Sequence, residues 1–194
     1  MNLPNKLTLL RVFLIPFFLI FMYLNIPCHY LIALVIFAAA SITDALDGNI
    51  ARKRNLVTNF GKFLDPLADK VLVLAALAVF VEIPQIKVGA VPLIIISARE
   101  FMVSGLRLLA ANSGVVVAAG IWGKLKTAFT MVTIIAALLW LSACWDFGFA
   151  FPFAFVNAVD NFIIPALIWI STVLTIISGA IYLKGYWHLI DSDK

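Results

Sequence analysis

Charged side chains are scarce in this chain, at 12% of its 194 residues. That is about half the share found in ordinary globular domains. The shortage leaves no room for a soluble domain beside the apolar segments. Cysteine is nearly absent, with only Cys28 and Cys144. Their spacing matches no metal or redox motif, so the reading is two thiols rather than a disulfide. Low-complexity stretches and internal repeats are missing. So is the interleaving of aromatic and basic residues that marks a nucleic-acid surface, and the net charge of +4 is therefore not assigned to RNA or DNA.

What the chain does have is apolar sequence, at 64% of residues. Six segments approach the roughly 20 residues needed to cross a bilayer. They run Leu7–Leu24, Tyr30–Asp47, Phe63–Val81, Val88–Leu109, Leu125–Cys144 and Phe162–Leu183. The expectation is an all-α polytopic membrane protein: six transmembrane helices, a cytoplasm-facing polar cavity, and one integral membrane domain over residues 1–194.

Basic residues give the orientation. With a cytoplasmic N-terminus, the inner loops carry Lys6, Arg52, Lys53, Arg54, Lys62, Lys124, Lys126, Lys184 and Lys194, and the outer loops carry Lys87. This asymmetry follows the positive-inside rule and turns the basic loops toward anionic lipid. The first apolar run ends in no small-x-small site and reads as a retained helix. The outer connection Trp145–Asn161 is rich in phenylalanine and is expected to lie in the interface as a short amphipathic piece. The inner loop Asn112–Gly123 reads as flexible. Pro16, Pro92 and Pro165 fall inside expected spans and are candidate kinks. Gly105, Gly120, Gly123 and Gly179 read as sites of close helix packing. Tryptophan and tyrosine are assigned to packing and interfacial anchoring.

Against this apolar background, four aspartates stand out. Asp44 and Asp47 close one segment, and Asp65 and Asp69 open the next. An aspartate near a bilayer centre costs roughly 2.5–3.5 kcal/mol, and less toward the interface. Neighbouring carboxylates also repel, so cations are needed to neutralise them. On a helix, Asp44, Asp47, Gly48 and Ala51 fall on one stripe about 100° wide, and Gly61, Asp65 and Asp69 on a narrower one. Carboxylates are hard oxygen ligands suited to Mg2+, Mn2+ or Ca2+. The small residues leave space for something bulky near the backbone. Two such faces side by side would support two-metal phosphoryl transfer.

Arg52 reads equally as an inside anchor or as a phosphate contact. In the fourth segment, Arg99 and Glu100 fall close to mid-span, where ionisable residues usually face a polar cavity. Arg107, Lys124 and Lys126 could join them around a second phosphate. Pairing of Arg99 and Glu100 with other helices for assembly is the equal alternative.

The spacing Asp44-x-x-Asp47-Gly48-x-x-Ala51-Arg52, eight residues, Gly61-x-x-x-Asp65-x-x-x-Asp69 resembles the signature of the CDP-alcohol phosphotransferases at every defined position. The stretches Asn2–Arg11, Arg99–Arg107 and Gly123–Thr127 add to the likeness, which covers about residues 1–130. They point to the bacterial members that use glycerol 3-phosphate. One departure is Ala98, where the family often has arginine.

The resemblance implies six transmembrane helices, a homodimer and two divalent cations (Mg2+ or Mn2+) held by Asp44, Asp47, Asp65 and Asp69. It implies CMP leaving a cytidine-diphosphate lipid, with Asp69 as general base. Asn5, Thr8, Gly48, Ala51, Arg52 and Gly61 would serve the nucleotide and lipid donor. Arg107, Lys124, Arg99 and Lys126 would hold the acceptor phosphate. The implied reaction passes the phosphatidyl group of CDP-diacylglycerol to glycerol 3-phosphate at the inner face of a bacterial plasma membrane. Phosphatidylglycerol or inositol phosphate as acceptor is the alternative within the family, and the basic residues argue against serine. A divalent-cation transporter is the alternative from another class, disfavoured because the acids cluster at one membrane end rather than at the midplane.

Overall fold

The computed structural model describes residues 3–54, 59–112 and 120–187, with side chains described for 8–43, 68, 70–110 and 120–187. All regular structure among the described residues is helical. The helices are α1 (Leu3–Tyr23), α2 (His29–Arg54), α3 (Asn59–Glu82), α4 (Val91–Asn112), α5 (Ile121–Leu141), α6 (Phe153–Ala158) and α7 (Ile164–Tyr186). A π-helical turn, Ser142–Asp146, extends α5, and another, Val159–Ile163, joins α6 to α7.

Each of the six apolar segments is helical, with shifted ends. Ile121–Asp146 and Phe153–Trp187 are long and apolar enough to cross a membrane, judged by length and composition. Thr8–Tyr23 and His29–Thr43 are shorter apolar stretches. The last helix begins at Phe153, not Phe162, so part of the expected outer connection is helical and continuous with the span. Proline explains how. Pro165 has no N–H for the carbonyl one turn back, and the π turn just before it widens the helix without ending it. Pro92 lies in the first turn of α4, where a missing N–H costs nothing, rather than in the helix interior. Pro16 does lie inside α1.

The chain divides into two compact units. The first comprises residues 1–82 and 134–155. In it α1 packs along α2 and against α3. The buried face of α1 is Thr8, Arg11, Ile15, Phe18 and Met22, and that of α2 is Tyr30, Ala33, Leu34, Phe37 and Ala40. Both recur at helical spacing, and the Phe18 and Phe37 rings meet with centroids 5.9 Å apart. The start of α2 is capped from a distance: Asp146 accepts the backbone N–H of Leu31 at 2.7 Å and of Tyr30 at 3.4 Å. A carboxylate there satisfies orphan amides and meets the positive end of the helix dipole. Neither cysteine forms a disulfide.

The second unit comprises residues 83–133 and 156–194, and in it α4 packs against α7. From Ser171 onward the buried face of α7 is mostly polar, while its exposed face is apolar. Ser171, Thr172, Thr175, Ser178 and Tyr182 are buried, while Trp169, Ile170, Val173, Ile176 and Ile181 are exposed. That inversion suits a helix surrounded by lipid, where hydroxyls must face protein. The hydroxyls of Thr172 and Thr175 donate to the carbonyls of Ile168 and Ser171. Gly123 and Gly179 lie at close approaches, while Gly105 and Gly120 have no described atom within 4 Å of where a side chain would begin.

Candidate active site

Helix α2 does not stop at Asp47. It runs on to Arg54, so Asp44, Asp47, Gly48, Ala51 and Arg52 all stand on one continuous helix. Gly61, Asp65 and Asp69 stand in the opening turns of α3. The backbone thus carries both stripes on helices of the first unit, at the spacing that puts each set on one face. The side chains of these eight residues, and of Asn5 in the first turn of α1, lie outside the described residues. Among the described residues no three histidine, cysteine, aspartate or glutamate side chains group together. Thr8 is fully buried, and Arg11, one turn further along the same face, is fully buried too.

The second unit holds the basic residues of α4 and α5. Arg99 and Lys126 are both buried, and Glu100 lies between them. Its Oε1 accepts the Lys126 ammonium and lies 3.3 Å from Arg99 Nη1. Burying two cations beside one carboxylate leaves part of their charge unmatched. The other end of Arg99 reaches α7, where Nη2 donates to Ser178 Oγ at 2.6 Å. Arg107, two turns beyond Arg99 on α4, is exposed, and its Nη2 donates to the Tyr182 hydroxyl at 3.0 Å. The backbone N–H of Gly120, just before α5, donates to the same oxygen at 3.0 Å. Lys124 is exposed in the first turn of α5.

Arg99, Arg107 and Lys126 are therefore gathered through Glu100, Ser178 and Tyr182. Arg99 and Glu100 do pair with another helix, as the assembly reading expected, and the same contacts fix a cationic group. Sequence reasoning missed Ser178 and Tyr182. A signal existed: Ser171, Thr175, Ser178 and Tyr182 recur at intervals of four, three and four along an otherwise apolar helix, which marks one polar face.

Chemically, the second unit offers a cluster suited to a phosphate dianion, and the first offers four acids suited to divalent cations. A family model described as CDP-alcohol phosphatidyltransferase matches residues 1–177. A Bacillus subtilis protein named CDP-diacylglycerol–glycerol-3-phosphate 3-phosphatidyltransferase is 41% identical over 205 aligned residues, covering 100% of this chain and 99% of the relative. A Rickettsia bellii protein of the same name is 38% identical over 184 residues, covering 95% and 94%. One from Haemophilus influenzae is 45% identical over 141 residues, covering 72% and 76%.

Proposed function

The chain belongs to the CDP-alcohol phosphatidyltransferase family, and from that premise we propose that it transfers the phosphatidyl group of CDP-diacylglycerol to glycerol 3-phosphate. The products are phosphatidylglycerol phosphate and CMP. The observation that carries this reading is end-to-end similarity, at 41% identity, to a relative named for that reaction, in a chain whose eight-residue signature is intact.

The donor set suits hard divalent cations such as Mg2+ or Mn2+, and Asp44, Asp47, Asp65 and Asp69 would hold two of them. When bound, such cations neutralise charge on the pyrophosphate and on the departing phosphate. Gly48, Ala51 and Gly61 leave room for the nucleotide beside the helices, and Asn5, Thr8 and Arg52 complete its site. The hydroxyl of glycerol 3-phosphate attacks the lipid-linked phosphorus. A new oxygen–phosphorus bond forms, the bond from that phosphorus to the CMP oxygen breaks, and the hydroxyl proton passes to the Asp69 carboxylate. Arg107, Lys124, Arg99 and Lys126 hold the acceptor phosphate by charge-assisted hydrogen bonds.

The same reading includes six membrane spans, a cytoplasmic N-terminus and cytoplasm-facing cavity, a bacterial plasma membrane location, and a homodimer. The positive-inside pattern of the loops and the apolar exposed face of α7 support the spans and their orientation, while the homodimer and the bacterial location rest on the family likeness. The basic cluster favours a phosphorylated acceptor over serine.

CMP release by the purified protein from CDP-diacylglycerol in mixed micelles tests the proposal. Glycerol 3-phosphate, inositol phosphate, serine and phosphatidylglycerol are offered one at a time. Glycerol 3-phosphate is expected to drive release. Release driven by phosphatidylglycerol or inositol phosphate instead would reassign the acceptor. No release with any of them, alongside cation uptake in proteoliposomes, would favour the transporter.

A further inference from the structure

Tyr182 is buried, at 5% exposure, and it meets two members of the cationic cluster, Arg99 and Arg107. Its hydroxyl oxygen accepts from Arg107 Nη2 and from the Gly120 N–H, each at 3.0 Å. The guanidinium carbons of Arg99 and Arg107 each lie 5.5 Å from its ring centroid. One turn earlier on α7, Ser178 holds the far end of Arg99. We infer that Tyr182 is a positioning residue of the acceptor site, holding the Arg99 and Arg107 guanidinium groups and the Gly120 end of α5 in one arrangement so that a phosphate monoester meets them already assembled. The inference rests on the reading of Arg99 and Arg107 as acceptor-phosphate groups.

Charge and geometry support it. Two guanidinium groups around one ring repel, and the negative ring faces offset only part of that repulsion. Arg99, Arg107 and Lys126 bring three positive charges and Glu100 one negative, which leaves a surplus of two. A phosphate monoester carries a charge of about −1.5 to −2 near neutral pH, so it matches that surplus. Packing alone would not require the hydroxyl, because phenylalanine fills nearly the same volume. Yet the hydroxyl ties a side chain of α4 and the backbone before α5 to α7. Arginine's planar fork loses little further freedom on binding a ligand when it is already held.

Kinetics of Tyr182→Phe and Arg107→Ala, measured side by side in mixed micelles, test this. For Tyr182→Phe, the KM for glycerol 3-phosphate is expected to rise about five- to tenfold, the scale of one ordinary hydrogen bond. The kcat at saturating acceptor and the KM for CDP-diacylglycerol should stay within about twofold. The Ki of inorganic phosphate, competing with glycerol 3-phosphate, should rise by the same factor. Tyr182→Leu, which also removes the ring, should raise the acceptor KM further. An unchanged acceptor KM in Tyr182→Phe, beside a raised one in Arg107→Ala, overturns the inference and leaves the acceptor site standing. An Arg107→Ala enzyme with unchanged KM overturns the acceptor site itself. Tyr182→Phe lowering kcat, lipid affinity and melting temperature together would make Tyr182 a purely structural residue, and the inference would fall.

Discussion

Arg99 Cγ lies 3.0 Å from the point where a side chain on Gly179 would begin. Helix α7 turns its glycine toward α4 at this point, so the arginine stem lies close against it and the tip reaches Ser178, the preceding residue. The stem cannot swing away cheaply, because Arg99 is buried and its ends are tied to Ser178 and Glu100. Gly179→Ala should therefore displace Arg99 by a few tenths of an ångström, and Gly179→Val should dislodge it. Overpacking of this kind costs about 1–3 kcal/mol. The expected result is a KM for glycerol 3-phosphate that rises in the order wild type, Ala, Val, with a parallel fall in melting temperature in detergent. A Gly179→Val enzyme with wild-type acceptor KM would show that Arg99 does not meet the acceptor.

The aspartate signature was legible because its information is local. Eight residues at fixed spacing keep that spacing wherever the helices go, and the backbone bears out their helical setting over α2 and α3. The apolar segments were legible from length alone. The start of the last helix was not, because the phenylalanine-rich stretch before Phe162 reads as an interfacial connection and nothing in the sequence announces that a π turn joins its end to the span. Tyr182 and Ser178 were passed over for a different reason. A hydroxyl in an apolar helix is ordinary until its partner is known, and their partners lie 75 and 79 residues away. Asp146 was hidden the same way, since the helix start it caps lies 115 residues earlier.

Asp69→Asn separates charge from shape at the proposed base. Asparagine keeps the size and a carbonyl oxygen but cannot take the proton of the attacking hydroxyl. Turnover should fall at least about a hundredfold, the scale of a general base, while donor binding, read by protection of the protein by CDP-diacylglycerol against thermal unfolding, should largely persist. EDTA should stop the wild-type reaction, and added Mg2+ or Mn2+ should restore it. Turnover near wild type in Asp69→Asn would remove this residue as base, and activity surviving exhaustive chelation would remove the divalent cations from the reaction.

Asp146 offers a contrast, because its effect should be on stability alone. Its carboxylate takes the N–H groups of Tyr30 and Leu31 at the start of α2. Asp44 lies fourteen residues beyond Tyr30 on the same helix, a distance of about 21 Å at 1.5 Å per residue. Asp146→Ala leaves two amides at a helix start without their acceptor, a loss of about 1 kcal/mol. For a chain of this length that should lower the melting temperature by about 2–4 °C. Asp146→Asn keeps an accepting oxygen but loses the charge that favours the helix N-terminus, so it should fall between the two. The kcat and both KM values should match wild type in each variant at a temperature well below melting. A kinetic defect without a thermal one would mean that the start of α2 communicates with the aspartate motif and does more than anchor the helix.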